Sequence, residues 1–187
     1  MNLASDPANT QLAEARAGDH GAFAGLVRQH QSMVYSMALN FLRNHASAEE
    51  LAQEVFLQLY RSLAGIETPA HLVQWLRRVT SHRCIDQSRR ARYRPMTGLE
   101  SAPEPVAADR PGDPLLSSQL DRLIAALPER SRMVVVLRYQ EEMEPSQIAT
   151  TLGVPLGTVK SSLHRALAVL RGRLERQPAS SGQKGKP

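Results

Sequence analysis

The chain of 187 residues has one cysteine, Cys84, so it can form neither an internal disulfide nor a cysteine-rich zinc site. Long hydrophobic runs are also missing, since the apolar run from Met133 to Leu137 is far shorter than the roughly 20 residues that cross a bilayer. The N-terminal sequence MNLASDPANT lacks the basic start and apolar centre of a secretion signal. These absences predict a protein that stays in the reducing cytoplasm and does not insert into a membrane.

Acidic residues are outnumbered by basic ones, which gives a formal net charge of +5 and a sequence pI of about 9.9. This balance favours a polyanionic partner such as nucleic acid, although ribosomal and membrane-surface proteins share it. The acids gather at predicted helix starts, and the six histidines lack the spacing of metal ligands. A nuclease or recombinase needs paired acids or a nucleophile beside a base, so we predict no enzymatic activity, no metal and no other cofactor.

Apolar residues recur every three or four positions through most of the chain, which predicts an all-α fold. Between residues 93 and 114 this pattern stops, and five prolines with mixed charge predict a flexible linker. The chain is therefore expected to form two small helical domains. The predicted parts are a domain at 1–94, a linker at 95–114, a domain at 115–174 and a disordered basic tail at 175–187.

The first domain is predicted to contain four helices. Their approximate limits are 7–16, 20–43, 47–63 and 69–92. Ser47 and Glu50 have the spacing of a capping box, and Thr68 with Pro69 is typical of a helix cap and first turn. His30 falls on the apolar side of the second helix, and a histidine at the edge of the core is favoured there over a metal ligand.

The second domain begins with an apolar periodic segment that is predicted to be a helix ending before Pro128. Pro128 and Glu129 are suited to open the next helix. Its predicted buried residues are Met133, Val134, Val136 and Leu137. Valines favour strands, but a single strand between helices would have no pairing partner, so a helix is predicted here as well.

Residues 143–171 predict two short helices separated by Gly153, which can adopt the left-handed conformation that ends a helix. The second of these helices has an apolar stripe at Val159, Leu163, Ala166 and Leu170. Its other face carries Lys160, Ser161, His164, Arg165 and Arg171. A helix packed on one side and cationic on the other is suited to the major groove of DNA, although an ordinary helical hairpin with a solvated basic face has the same pattern.

The helix predicted at 69–92 is strongly basic. From residue 77 to residue 94, Asp86 is the only acid among seven arginines. A solvated basic face normally contains interleaved acids, so their absence favours contact with nucleic acid. Trp75 could stack on a base or belong to the core, and a mainly core position is predicted.

Four motifs in this chain resemble those of one protein family. IATTLGVP with GTVKSSLHRALAVL resembles the promoter-reading helix-turn-helix, region 4.2, of bacterial sigma factors of the extracytoplasmic-function (ECF) group of the sigma-70 family. LPERSRMVVVLRY resembles region 4.1, SAEELAQEVFLQLYR resembles region 2.2, and HLVQWLRRVTSHRCIDQSRR resembles regions 2.3 and 2.4. The resemblance spans roughly residues 22–94 and 115–173. It implies a sigma factor that binds core RNA polymerase and directs promoter-specific transcription initiation.

The resemblance also implies which residues carry each task. Recognition of the promoter −35 element falls to Thr158, Lys160, Ser161, His164, Arg165 and Arg171. Recognition and melting of the −10 element fall to Gly65, Glu67, His71, Trp75, Arg77, Arg78, His82, Arg83, Arg89 and Arg90. Docking on core polymerase falls to Glu50, Gln53, Glu54 and Phe56, although these acids would equally stabilise the start of a helix. The implied partners are the β′ clamp and β flap of the polymerase, promoter DNA and an anti-sigma factor, with no homo-oligomer required.

Three residues depart from the family pattern. Ser162 and Leu167 stand where the family often has arginine, which implies a weaker grip on phosphate there. His82 stands where asparagine is frequent, which leaves the preferred −10 base open. The alternative functions are a helix-turn-helix regulator that binds duplex DNA without polymerase and a structural helical adaptor.

Overall fold

The computed structural model describes residues 6–93 and 122–174, and every regular element within those two stretches is helical, as predicted. The helices are α1 (Pro7–Arg16), α2 (His20–Leu42), α3 (His45–Ser62), α4 (Pro69–Tyr93), α5 (Glu129–Tyr139), α6 (Pro145–Leu152) and α7 (Leu156–Leu174), with a 3₁₀ turn at Leu63–Gly65. We call α1–α4 the N-terminal helices and α5–α7, with the helical turn at 122–125, the C-terminal helices. The predicted linker and tail lie outside the described residues.

Side-chain caps begin most of the N-terminal helices. Asp6 accepts a hydrogen bond from the Ala8 N–H at 3.1 Å, and Asp19 accepts one from the Ala22 N–H at 2.8 Å. Thr68 Oγ1 accepts from the His71 N–H at 3.0 Å, which confirms the predicted start of α4. These bonds satisfy backbone donors that have no partner within the first helical turn.

The predicted capping box at Ser47 is wrong. Helix α3 begins at His45, and the Asn44 side chain accepts from the Ser47 N–H at 2.7 Å. Arg43, directly before this cap, has a left-handed backbone with φ of 58° and closes α2. This tight turn leaves Asn44 extended and free to cap, which the capping-box spacing alone did not indicate.

The N-terminal helices enclose an apolar core. Helix α2 packs mainly against α3 and α4, and α1 packs across α2. The most deeply buried side chains of this core are Leu12, Met37, Phe41, Leu51, Leu59, Ile66, Leu72 and Leu76. His30 lies half-buried at its edge, where burial lowers the pKa of the imidazole, and this confirms its predicted position.

The helix-turn-helix forms as predicted. Gly153 ends α6 with φ of 64°, and the Val154 N–H donates to the Ala149 carbonyl at 3.0 Å. At the start of α6, Gln147 Oε1 accepts from the Glu144 N–H at 2.9 Å. Along α7, Val159 and Ala166 are buried against α5 and α6, so the other side of α7 faces outward.

The middle of helix α5, Met133–Leu137, is buried on all sides because it lies between the N-terminal helices and α7. Met133, Val134, Val136 and Leu137 belong to the same buried cluster as the N-terminal core, while Val135 packs with Leu127 and Ala166. A helix with one exposed side would have a single apolar stripe. Because these residues are buried all around, this helix instead has five consecutive apolar residues. The N-terminal and C-terminal helices therefore share one continuous core.

We expect Asn44→Ala to lower the free energy of unfolding by about 1 kcal/mol because it removes the α3 cap. Ser47→Ala should change it by less than about 0.5 kcal/mol, since Ser47 contributes only its backbone N–H to this cap. Urea unfolding followed by circular dichroism compares the two variants. A larger loss for Ser47→Ala would contradict the observed cap.

Two glycines in the helix-turn-helix provide a test of the turn. A Cβ atom at Gly153 or at Gly157 would meet no neighbouring atom within 4 Å, but only Gly153 has a positive φ. Gly153→Ala should therefore destabilise the fold by about 1 kcal/mol, because an L side chain is disfavoured in the left-handed region. Gly157→Ala should cause no loss. Equal stability of both variants in thermal unfolding would contradict the left-handed turn.

Candidate nucleic-acid interface

The outward face of α7 carries most of the residues predicted to read the −35 element. Lys160, Ser161, His164, Arg165 and Arg171 are all exposed, whereas Thr158 is half-buried beside the turn. At 3.6 residues per turn the five exposed positions fall on one side of the helix, opposite the buried Val159 and Ala166. The structure thus brings the predicted groove residues onto a single polar surface.

Arg165 is held in place by its own helix. Its Nε donates to the Ser161 carbonyl at 3.2 Å, and its Nη2 lies 3.4 Å from Ser161 Oγ. Ser161 Oγ in turn donates to the Thr158 carbonyl at 3.0 Å. Because these contacts are on the exposed surface, the guanidinium stays available to a partner while its possible orientations are reduced.

The two family departures on α7 occupy different environments. Ser162 is only 5% exposed and lies on the packed side of the helix, whereas Leu167 is exposed. Position 162 of this chain therefore contributes to packing. A weaker phosphate grip was predicted for both positions, but only Leu167 is on the exposed surface where such a contact could form.

One side of α4 collects a second set of predicted DNA-contacting residues. His71, Trp75, Arg78 and His82 follow each other at intervals of three or four residues, so they form a stripe along the helix. Trp75 is half-buried and packs against the core, in agreement with its predicted position, and the other three are exposed. An aromatic ring flanked by imidazoles and a guanidinium offers stacking surfaces and hydrogen-bond donors to an unpaired base.

The loop before α4 lies next to this stripe in sequence and is fixed by an apolar anchor. Ile66 is 1% exposed, so the exposed Gly65 and Glu67 are held on either side of it. The Glu67 N–H approaches His71 Nδ1 at 3.5 Å, which connects the loop to the first turn of α4. The predicted residues Gly65, Glu67 and His71 are thus brought together.

Arginines predicted to contact the −10 element divide into two groups. Arg78 and Arg90 are exposed, but three others form ion pairs within the protein. Arg77 Nε is 3.0 Å from a Glu141 carboxylate oxygen, and Arg89 lies 3.8 Å from Glu129 and 4.0 Å from Asp86. Arg83 pairs with Glu54 and also donates twice to Gln58 Oε1, at 3.0 and 2.9 Å. The sequence did not distinguish these roles, since all the partners but Asp86 lie outside α4.

A groove of about 820 Å³ runs along α2 and α3, beside the residues predicted to bind polymerase. Gln53 and the largely buried Phe56 line it, while Glu50 and Glu54 are exposed elsewhere on α3. Leu57 and Tyr60 also line this groove and are 60% and 49% exposed. They were not predicted as site residues, and the signal that could have found them is their position outside the apolar stripe of α3.

Other chemically reactive features are few in the part of the chain that the structure describes. Cys84 is buried, and burial raises the pKa of its thiol, as expected for a structural cysteine. Residues 6–93 and 122–174 contain no group of three metal-binding side chains. Among the described helices none is long and apolar enough to span a membrane.

Comparison with known proteins connects these surfaces to one family. The model of Sigma-70 region 2 matches residues 26–94, and the model of Sigma-70 region 4 matches residues 117–170. The ECF RNA polymerase sigma factor SigE of Mycolicibacterium smegmatis is 33% identical over 187 aligned residues, which cover 95% of this chain and 72% of that protein. The probable RNA polymerase sigma factor RfaY of Xanthomonas campestris pv. campestris is also 33% identical, but the chain spans only 43% of its length.

Solved structures support the same fold. The sigma factor RpoE of Bartonella quintana, solved with the anti-sigma factor NepR, matches with a TM-score of 0.67 at 20% identity, covering 83% of this chain and 98% of that one. The matched regions agree with the four motifs seen in the sequence, and a relative such as SigE aligns along nearly the whole chain. The chain therefore belongs to the ECF RNA polymerase sigma factors of the sigma-70 family, which are promoter-recognising subunits.

Proposed function

We propose that this sigma factor reads the −35 element with the outward face of α7, holds the opened −10 element with α4 and its preceding loop, and docks on polymerase through α3. The observation that carries the proposal is the division of α7 into a buried apolar side and an exposed side with Lys160, His164 and Arg165. An independent DNA-binding regulator is not favoured, because residues 26–94 match a sigma region.

The −35 contact follows from the chemistry of α7. One helix fits the major groove of B-DNA, and phosphates line both sides of that groove. Arg165, already oriented by Ser161, can donate two hydrogen bonds to guanine. Lys160 lies more than one helical turn before Arg165 on the same surface, where it can contact a phosphate. Ser161 and His164 add shorter hydrogen-bonding groups on the same surface, while Arg171 extends the cationic side toward the helix end.

The −10 contact requires bases to leave the duplex stack, which costs a few kcal/mol. Stacking of a base on an aromatic side chain returns about 1–3 kcal/mol, so Trp75 and the adjacent His71 can offset much of that cost. The loop at Gly65 and Glu67 faces this part of α4 and provides backbone groups for a flipped base. Arg78 and Arg90, exposed on α4, supply the positive charge for the backbone.

The polymerase contact is assigned to the groove beside α3. Its apolar lining by Leu57 and Tyr60, with the polar Gln53 on the same helix, fits a protein surface rather than DNA, because exposed apolar patches mark protein interfaces. We assign this groove and the acids Glu50 and Glu54 to the clamp of the β′ subunit. The C-terminal helices are assigned to the flap of the β subunit.

We also propose that the protein acts in the cytoplasm, performs no chemistry with its own side chains and needs no cofactor or homo-oligomer. RpoE of Bartonella quintana was solved with an anti-sigma factor, which supports a similar inhibitor for this chain. The structural adaptor alternative predicts that reversing the charges of Lys160 and Arg165 on α7 leaves every activity intact. The transcription experiment described next therefore tests this alternative as well.

The α7 assignment is tested by promoter-dependent transcription with purified core polymerase. Lys160→Glu combined with Arg165→Glu should abolish specific transcripts, because both groove cations become anions. Arg165→Lys keeps the charge but loses the paired donors, so it should reduce discrimination at one −35 base pair by about 1–3 kcal/mol with little change in salt dependence. Transcription by the double variant at the wild-type level would refute the assignment.

The groove assignment is tested by binding to core polymerase, measured with a fluorescently labelled sigma factor. Leu57→Glu should weaken binding at least about tenfold, since it buries a charge in an apolar contact. Ala13→Glu is the matched control, because it adds the same charge at an exposed apolar residue of α1 that does not line the groove. Equal weakening by both variants would contradict the role of the groove.

A further inference from the structure

The loop before α4 receives a hydrogen bond from a helix outside the −10 surface proposed above. Arg16, in the last turn of α1, donates from Nη2 to the Ala64 carbonyl at 3.3 Å. Ala64 directly precedes Gly65, one of the residues proposed to contact the −10 element. Helix α1 ends before residue 26, where the match to Sigma-70 region 2 begins, so that match assigns α1 no role.

Arg16 is not required to satisfy the end of its own helix. A basic residue in a last turn often donates to the final carbonyls of that helix. Here the carbonyls of residues 13–15 accept instead from the backbone N–H groups of residues 17–19, at 3.0–3.1 Å. The guanidinium is therefore left to connect α1 with the loop, 48 residues further along the chain.

Helix α1 is a firm base for this bond because it is anchored independently of the loop. Leu12 and Ala15 are buried in the core, and Asp6 caps the start of the helix. The Gln11 side chain lies directly over Gly25 of α2, where an added Cβ would come within 2.0 Å of Gln11 Nε2. Packing between α1 and α2 therefore determines where Arg16 stands.

The bond to Ala64 fixes the backbone beside Gly65. The Ala64 carbonyl and the Gly65 N–H belong to one planar peptide unit, so holding the carbonyl sets the orientation of the whole unit. Because glycine tolerates φ of either sign, this peptide would otherwise rotate more easily than its neighbours. On the other side of Gly65, Ile66 is buried and its N–H donates to the Leu63 carbonyl at 3.0 Å. Gly65 is thus held from both sides.

The space beside Gly65 is open to a ligand. A Cβ at this residue would meet no atom within 4 Å, and Gly65, Glu67 and His71 are all exposed. A loop that must first be ordered, or that can rearrange around a wrong base, loses both affinity and discrimination. A loop held in advance by its own protein avoids that loss.

We propose that Arg16 is a positioning residue for −10 recognition, an inference that rests on the proposed role of the loop. It holds Gly65 and Glu67 in one arrangement and so determines how strongly the loop discriminates among −10 bases. Arg16 makes no contact with the base itself, and it acts through the Ala64 carbonyl.

Arg16→Met removes the bond, because methionine keeps an apolar stem but cannot donate. Arg16→Lys keeps a donor and the positive charge, so it should restore much of the loss. Arg28→Met is the matched control, since it makes the same substitution at an exposed arginine of α2 that makes none of the loop contacts described above. Urea unfolding followed by circular dichroism checks that each variant keeps the fold.

Amide hydrogen exchange, followed by NMR on the full chain, measures the loop directly. We expect the N–H groups of Ile66 and Glu67 to exchange about two- to tenfold faster in Arg16→Met, which corresponds to the loss of one hydrogen bond. Arg28→Met should match the parent, and Arg16→Lys should lie close to it. Unchanged exchange in Arg16→Met would overturn the positioning role.

Binding of the holoenzyme, assembled from core polymerase and each variant, tests discrimination. The probe is a labelled fragment of a promoter that the parent transcribes, with an unpaired −10 segment in which each base is replaced in turn. Arg16→Met should reduce the ratio of Kd between the worst and the best base at one −10 position by about two- to tenfold. Binding to core polymerase should stay at the parent level. A merely structural role for Arg16 would lower stability without changing this ratio.

The two measurements separate this inference from the proposed function. Faster exchange with an unchanged Kd ratio would overturn the role of Arg16 in discrimination. An equal loss of discrimination in Arg28→Met would overturn it too, because the effect would then not depend on the bond to Ala64. Absence of any −10 base preference in the parent holoenzyme would instead contradict the proposed −10 role of the loop, and the exchange rates would still decide whether Arg16 positions it.

Discussion

The burial of α5 between two groups of helices is the constraint on which the rest of the structure depends. Its five consecutive apolar residues, Met133–Leu137, leave no side that could face water. Burying a side chain of this size contributes about 1.5–3 kcal/mol, compared with about 0.5–1.5 kcal/mol for a typical hydrogen bond. Apolar burial on α5 therefore supplies most of the contact energy, while the polar groups around it determine how the helices are aligned.

Arg132 shows how the polar groups perform that alignment. Its Nη1 donates to the Phe41 carbonyl at 3.0 Å, and the guanidinium lies 5.2 Å from the centre of the Phe41 ring. The same side chain donates to the carbonyls of Ala125 and Leu127, where the preceding helical turn ends. One cation thus satisfies partly buried helix-end carbonyls on both sides of the contact, which apolar packing could not do.

The functional surfaces depend on the same arrangement. Packing of Val159 and Ala166 against α5 and α6 turns Lys160 and Arg165 outward, so the core and the DNA-reading face of α7 are two sides of one helix. On α4, packing against α2 leaves the stripe from His71 to His82 at the surface. Helices that are rigid because they are packed can hold these side chains in place for a partner.

The sequence by itself determined the all-helical fold, the turn at Gly153 and the outward position of Lys160 and Arg165. Those features depend on residues within about four positions of each other, which periodicity reports directly. It also determined the family, through four motifs distributed along the chain. Only the tertiary structure decided that Asn44 caps α3 and that Leu57 and Tyr60 line a groove. It also decided that Arg77 and Arg83 form ion pairs, while Arg78 is exposed. Arg77 and Glu141 are 64 residues apart, and Asn40 and Gln140 are 100 apart. No local pattern encodes such pairs, because they exist only when burial of α5 brings distant helices together.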